Sequence, residues 1–111
     1  MSIFVNGVGE INPYLELVDN NNKYNIKEIS QNYTILETDE LLLCSGNITL
    51  TLPLASNSKK KIIIKNVDFG EVVVNVSGAD TIDNKTSLVL YINDSAILVD
   101  ALVGKWIRLG V

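Results

Sequence analysis

Residues 47–65, NITLTLPLASNSKKKIIIK, constrain the fold more than any other stretch of this chain. Ile48, Leu50 and Leu52 fall on one face of an extended segment, and Thr49 and Thr51 fall on the other. That is the period-two alternation of a half-buried strand. Pro53 ends it, because proline cannot donate to a ladder and restricts the residue before it. Asn57, Ser58 and three lysines supply a polar turn, and Ile62, Ile63 and Ile64 begin a return strand.

The same grammar repeats along the chain. Residues 33–36, 41–44, 71–76, 87–92, 96–100 and 105–109 read as strands, and 81–83 as a short extended piece. Between them stand turn residues: Glu37 to Glu40, Ser45-Gly46-Asn47, Val67 to Gly70, Ser77 to Asp80, Asn84 to Thr86, Asn93 to Ser95, and Val103-Gly104. Short strands with turn signals roughly every eight to twelve residues predict an all-β fold, a small sandwich or barrel-like module. No capped 3.6-residue apolar stripe argues for a helical domain. The connections are too short for crossover helices, which predicts an antiparallel sheet. Nearer the N-terminus, residues 14–18 and 24–29 flank an Asn-rich turn and predict a β-hairpin, with a helical turn over IKEI as the alternative. Residues 1–32 are therefore expected to form an arm and hairpin, and residues 33–111 the β-module.

Composition removes whole classes of function. A chain of 111 residues is one domain by size. Its net charge of −4 and 6% aromatic content leave no basic stripe and few rings for stacking bases, so nucleic acid is not an expected partner. With no histidine, the chain lacks Ser-His-Asp chemistry and most zinc sites. The single cysteine, Cys44, follows three leucines and reads as a small buried hydrophobe rather than a nucleophile. No run approaches a membrane span, and the N-terminus lacks the basic and apolar regions of a signal peptide. The five N-x-S/T triplets, at Asn32, Asn47, Asn75, Asn84 and Asn93, then follow from an Asn-rich composition. No cofactor, metal or catalytic residue is expected.

Several strands are apolar on both faces: Leu41 to Cys44, Ile62 to Ile64, Val72 to Val74, and Ile97 to Val99. In a small sandwich one face meets the core and the other should meet water. Ile63, Val73, Ile97 and Val99 are thus candidates for an oligomer interface, since soluble monomers rarely expose such a patch. A sheet covered by the N-terminal hairpin is the alternative.

From Tyr33 onward the chain resembles a β-strand module found at the ends of bacteriophage tail fibres and other virion appendages. The resemblance rests on ordered pieces: YTI (33–35), ITLTLPLAS (48–56), IIIKN (62–66), VVVNV (72–76), SGADTIDN (77–84), SLVL (87–90), SAILVD (95–100) and GKWIRL (104–109). Such modules usually carry glycine in the turn where this chain has Ser58-Lys59-Lys60, and often after TID, where it has Asn84. Residues 1–32 match no part of that pattern. The resemblance implies an intertwined homotrimer on a virus particle, used structurally or for attachment, with no catalytic residues. The chain's brevity fits a capsid decoration or head-fibre component better than a long tail fibre. The expected partners are further copies of itself and other virion proteins.

A carbohydrate-binding adhesin domain recognising host surface glycans is the alternative function, motivated by the lone Trp106 as a sugar-stacking ring. Against it, a tryptophan in a terminal strand more often fills a core. Asp80, Asp83, Asp94 and Asp100 lie in or beside turns, where aspartate bonds backbone, rather than as a glycosidase pair. Lys59, Lys60 and Lys61 form the basic cluster, read as a solvated loop or a contact for an acidic partner. Ile3, Phe4 and Val5, beside Gly7 and Gly9, are the candidate anchoring arm, able in principle to add to a partner's sheet edge.

Overall fold

Ten strands follow one another between Ile26 and Leu109 in the computed structural model, which describes residues 23–110. They are β1 (Ile26–Ile29), β2 (Tyr33–Thr34), β3 (Leu41–Cys44), β4 (Ile48–Thr51) and β5 (Lys61–Asn66). The second half contains β6 (Val72–Asn75), β7 (Thr81–Ile82), β8 (Ser87–Leu90), β9 (Ser95–Leu102) and β10 (Lys105–Leu109). The all-β expectation holds, and every strand lies where alternation and turn residues place it.

The strands form two sheets, one in the order β1-β3-β5-β9-β10-β7 and the other β2-β4-β6-β8. Here the antiparallel expectation is corrected, because the sheets are mixed. β1, β3 and β5 are mutually parallel, as are β2, β4 and β6. The antiparallel pairs are β5 with β9, β9 with β10, and β6 with β8. Parallel neighbours need a crossover, and here the crossover is a strand in the opposite sheet. From β1 to β6 each connection arches from one sheet to the other, so every second strand returns to its sheet in the same direction. The two strands of residues 47–65 are one such pair: β4 and β5 belong to different sheets and are not hydrogen-bonded partners.

The core lies between the sheets. Leu42, Cys44, Ile62, Ile64, Ala96, Leu98 and Trp106 come from the larger sheet, and Ile48, Leu50, Val72, Val74 and Leu90 from the smaller. Apolar burial of this kind stabilises by about 25 cal/mol per Å² removed from water.

Buried polar groups hold the arches. The Asp100 carboxylate accepts from the backbone N–H groups of Ser56, Asn57 and Ser58 at 2.8–3.2 Å and from the Ser58 hydroxyl at 2.7 Å. Asn66, fully buried, donates its amide to the carbonyls of Gly70 and Leu90, both at 2.9 Å, tying β5 to the strand end of the other sheet. Gly70 has φ of +104°, and a Cβ there would lie 2.6 Å from the Gly46 carbonyl carbon. Two arches meet at that point, so glycine is required.

The segment around residue 26, expected as one strand of the N-terminal hairpin, is a strand. IKEI is a strand rather than a helical turn, and it pairs parallel with β3 as an edge of the larger sheet. Residues 14–18, the other half of the expected hairpin, and Ile3, Phe4 and Val5 lie outside the described residues.

Candidate functional site

Among the described residues, the outer face of the six-stranded sheet carries an aligned set of half-buried apolar residues, while the most exposed apolar side chains, Phe69, Val103 and Leu54, lie outside the strands. Strand alternation sends Leu42, Cys44, Ile62, Ile64, Ala96 and Leu98 inward, so Leu41, Leu43, Ile63, Ile97 and Val99 face outward. Register then aligns them. Ile26 pairs with Leu41, Leu41 with Ile63, Ile63 with Ile97, and Ile97 with Leu109. This is an unbroken aliphatic row across five strands. Its ends are the most open, Ile26 at 54% and Leu109 at 51% exposure.

A second row runs parallel to it: Glu28, Leu43, Lys65 and Ser95. On the other side Lys61, Val99 and Ile107 form a third. Five strands about 4.8 Å apart and three rows about 7 Å apart give a face of roughly 400 Å². Only its middle row is wholly aliphatic; Glu28, Lys65, Ser95 and Lys61 make the two flanking rows mixed.

Of the four candidate interface residues, the structure brings Ile63, Ile97 and Val99 together on this face. Val73 is separated from them. It lies on the outer face of the smaller sheet, between Thr49 and Val89. Sequence alternation could not show that Val72–Asn75 belongs to a different sheet. The aliphatic row itself was also missed, because Ile26, Leu41 and Leu109 join it only through parallel register and the position of β10.

Trp106 offers no stacking surface. It is 2% exposed, packs in the core, and donates its indole N–H to the Pro53 carbonyl at 3.2 Å. The turn aspartates bond backbone: Asp80 accepts from Ala55 N, Asp83 from Arg108 N, and Asp94 from Tyr91 N. The lysine cluster is partly consumed by its own loop. Lys59 has φ of +65°, and its ammonium donates to the Ala101 carbonyl at 2.8 Å and to the Asn57 side-chain oxygen. Among the described residues no group of histidine, cysteine or carboxylate side chains is placed to hold a metal. Cys44 is fully buried, and burial pushes its thiol pKa up to about 11, so it is a poor nucleophile.

One polar cluster escaped the sequence reading. Lys27 points inward from the edge strand β1, and its ammonium lies 2.6 Å from Asp39 Oδ1 and 3.1 Å from the Tyr33 hydroxyl. Tyr33 donates to Asp39 Oδ2 at 2.7 Å, as does Leu36 N at 2.8 Å. Burial alone would raise the Asp39 pKa, but the hydrogen bonds from Lys27, Leu36 and Tyr33 outweigh it and hold it below the usual carboxylate value. The signal available was the Leu36 to Asp39 spacing of a side-chain-closed turn. Its partner Lys27 is brought near only by the fold. An inward-pointing charge on an edge strand discourages edge-to-edge pairing. β1 is thereby blunted along its edge, while its outer face carries Ile26 and Glu28.

Comparison with known proteins returns no matching family model, no matching curated protein and no matching solved structure.

Proposed function

We propose that this protein is a non-enzymatic structural component of a bacteriophage particle, a capsid decoration, head-fibre or tail-fibre piece. In this reading it assembles as a homotrimer through the outer face of its larger sheet. It is made in the host cytoplasm, resides on the virion, and attaches to other virion proteins through the N-terminal segment carrying Ile3, Phe4 and Val5.

The single observation carrying the reading is the aliphatic row Ile26-Leu41-Ile63-Ile97-Leu109, left open on a sheet whose edge strand is blunted. Obligate interfaces resemble a core divided between chains, and the aliphatic row supports that reading. The virion context comes from the ordered motif set between residues 33 and 111. Two departures from that set support it further. Within the turn Ser58-Lys59-Lys60, where the resembling modules usually carry a glycine, Lys59 has φ of +65°, and at Asn84, where they often do, φ is +71°. The backbone thus keeps the left-handed turns that glycine favours.

Solution mass by light scattering tests the reading. A trimer of about 37 kDa, three times 12.2 kDa, is expected at micromolar concentration. A stable 12.2 kDa monomer would overturn it. A shortened chain should begin at residue 23 rather than 33, because β1 is part of the sheet and Lys27 is the ionic partner of Asp39.

A further inference from the structure

The outer face carries charge as well as aliphatic carbon, and the charges are segregated. Its acid is Glu28, on the edge strand β1, and its bases are Lys61 and Lys65 on the central β5 and Lys105 on β10. Among the described residues neither Glu28 nor Lys61 has an ion-pair partner. Lys65 makes one long hydrogen bond, 3.4 Å to the Asn93 carbonyl, leaving donors of its ammonium free. A protomer in a standard interface contributes about 800 Å², so a face of roughly half that size leaves its flanking charges inside the footprint.

We infer that the partner on this face is a second copy of the same chain, joined about an axis parallel to the strands, with Glu28 of one copy paired to Lys65 of the next. The inference rests on the self-assembly reading above and deepens it. A rotation about an axis along the strands leaves each residue at its own height. Residues in one cross-strand row therefore meet residues of the same row in the neighbour. The aliphatic row meets itself, which buries apolar surface on both sides. With the contact centred on β3, Leu43 meets Leu43 and Glu28 meets Lys65 in the row Glu28-Leu43-Lys65-Ser95, whereas a contact centred on β5 would set Lys65 against Lys65. An axis perpendicular to the strands in the plane of the face would invert heights and set the lysine-bearing rows of Lys65 and Lys61 against each other. Charge pattern thus selects the axis.

The test is a charge exchange read by light scattering over a concentration series, at low and at physiological salt, on the full chain. Glu28→Lys and Lys65→Glu should each weaken association about tenfold, and the double exchange should restore most of it. Thermal melting of each variant separates association from folding. If the wild type assembles and all variants assemble alike, the pairing is wrong and self-assembly stands. The pairing also fails if the single variants weaken association and the double variant does not recover. A monomeric wild type would remove both the pairing and the reading beneath it. Equal loss of melting temperature in a monomer would show that Glu28 and Lys65 bridge Leu43 within one chain, which also overturns the proposal.

Discussion

The two outer faces of this sandwich are built from the same strand grammar and end in opposite characters. On the four-stranded sheet one row reads Thr34, Thr51, Asn75 and Ser87, and its neighbour Thr49, Val73 and Val89. On the six-stranded sheet the central row is wholly aliphatic over five strands. Both sheets bury their inner faces on one core, so the difference does not come from core packing. The larger sheet keeps a wholly aliphatic row on its outer face, while hydroxyl and amide residues fill one outer row of the smaller sheet, the pattern of a face that meets water.

The largest expected effect breaks the scaffold that both faces share. Gly70→Ala puts a methyl group into the Gly46 backbone at a positive φ. It should cost about 2–5 kcal/mol, adding overpacking to backbone strain, measured by denaturant unfolding. Both faces should suffer together.

The comparison is broken more selectively by a matched pair of substitutions. Ile63→Asp should weaken self-association by about 30-fold or more, the range of a truncated hot spot, in light scattering. Val73→Asp, on the polar face, should leave the mass unchanged. Equal effects, or none, would mean that the apolar character of the larger face has no role in assembly.

Acid titration probes the arches between the faces. Burial would raise the Asp100 pKa, but bonds from Ser56, Ser58 and Asn57 hold it low, as Lys27, Leu36 and Tyr33 hold Asp39 low. A depressed folded pKa contributes stability that is present above the unfolded value, near 3.8, and lost as pH falls through the folded one. Melting temperature should therefore drop as pH falls below about 4. Asp100→Asn should flatten that drop while lowering stability at pH 7 by about 1.5–3 kcal/mol, the worth of charged hydrogen bonds. The smallest effect is at Cys44, whose buried thiol should react with a thiol reagent only as fast as the fold opens, followed by absorbance.

Much of the secondary structure was legible. Alternation located Leu41–Cys44 and Lys105–Leu109 to the residue, and turn chemistry marked the arch at Gly70 and the left-handed positions Asn57 and Asn93. Three of the four interface candidates fall on one face for the same reason: alternation distinguishes inward from outward. The fourth, Val73, lies on the outer face of the other sheet, because alternation says nothing about which sheet a strand joins. The Lys27–Asp39 pair was not legible either, since β2 lies between the two residues and their contact depends on β1 lying parallel to β3.

The sequence by itself determined an all-β chain, the position of nearly every strand, and the two-faced apolar character of its central strands. Those are local properties, written in side-chain period and turn residues. Only the tertiary structure decided that successive strands alternate between sheets, that the sheets are mixed, and that Ile26, Leu41, Ile63, Ile97 and Leu109 share one row. A short polar connection can fold back within a sheet or arch across to the other. Which it does depends on long-range register and on buried partners such as Asp100 and Asn66, which no local pattern records.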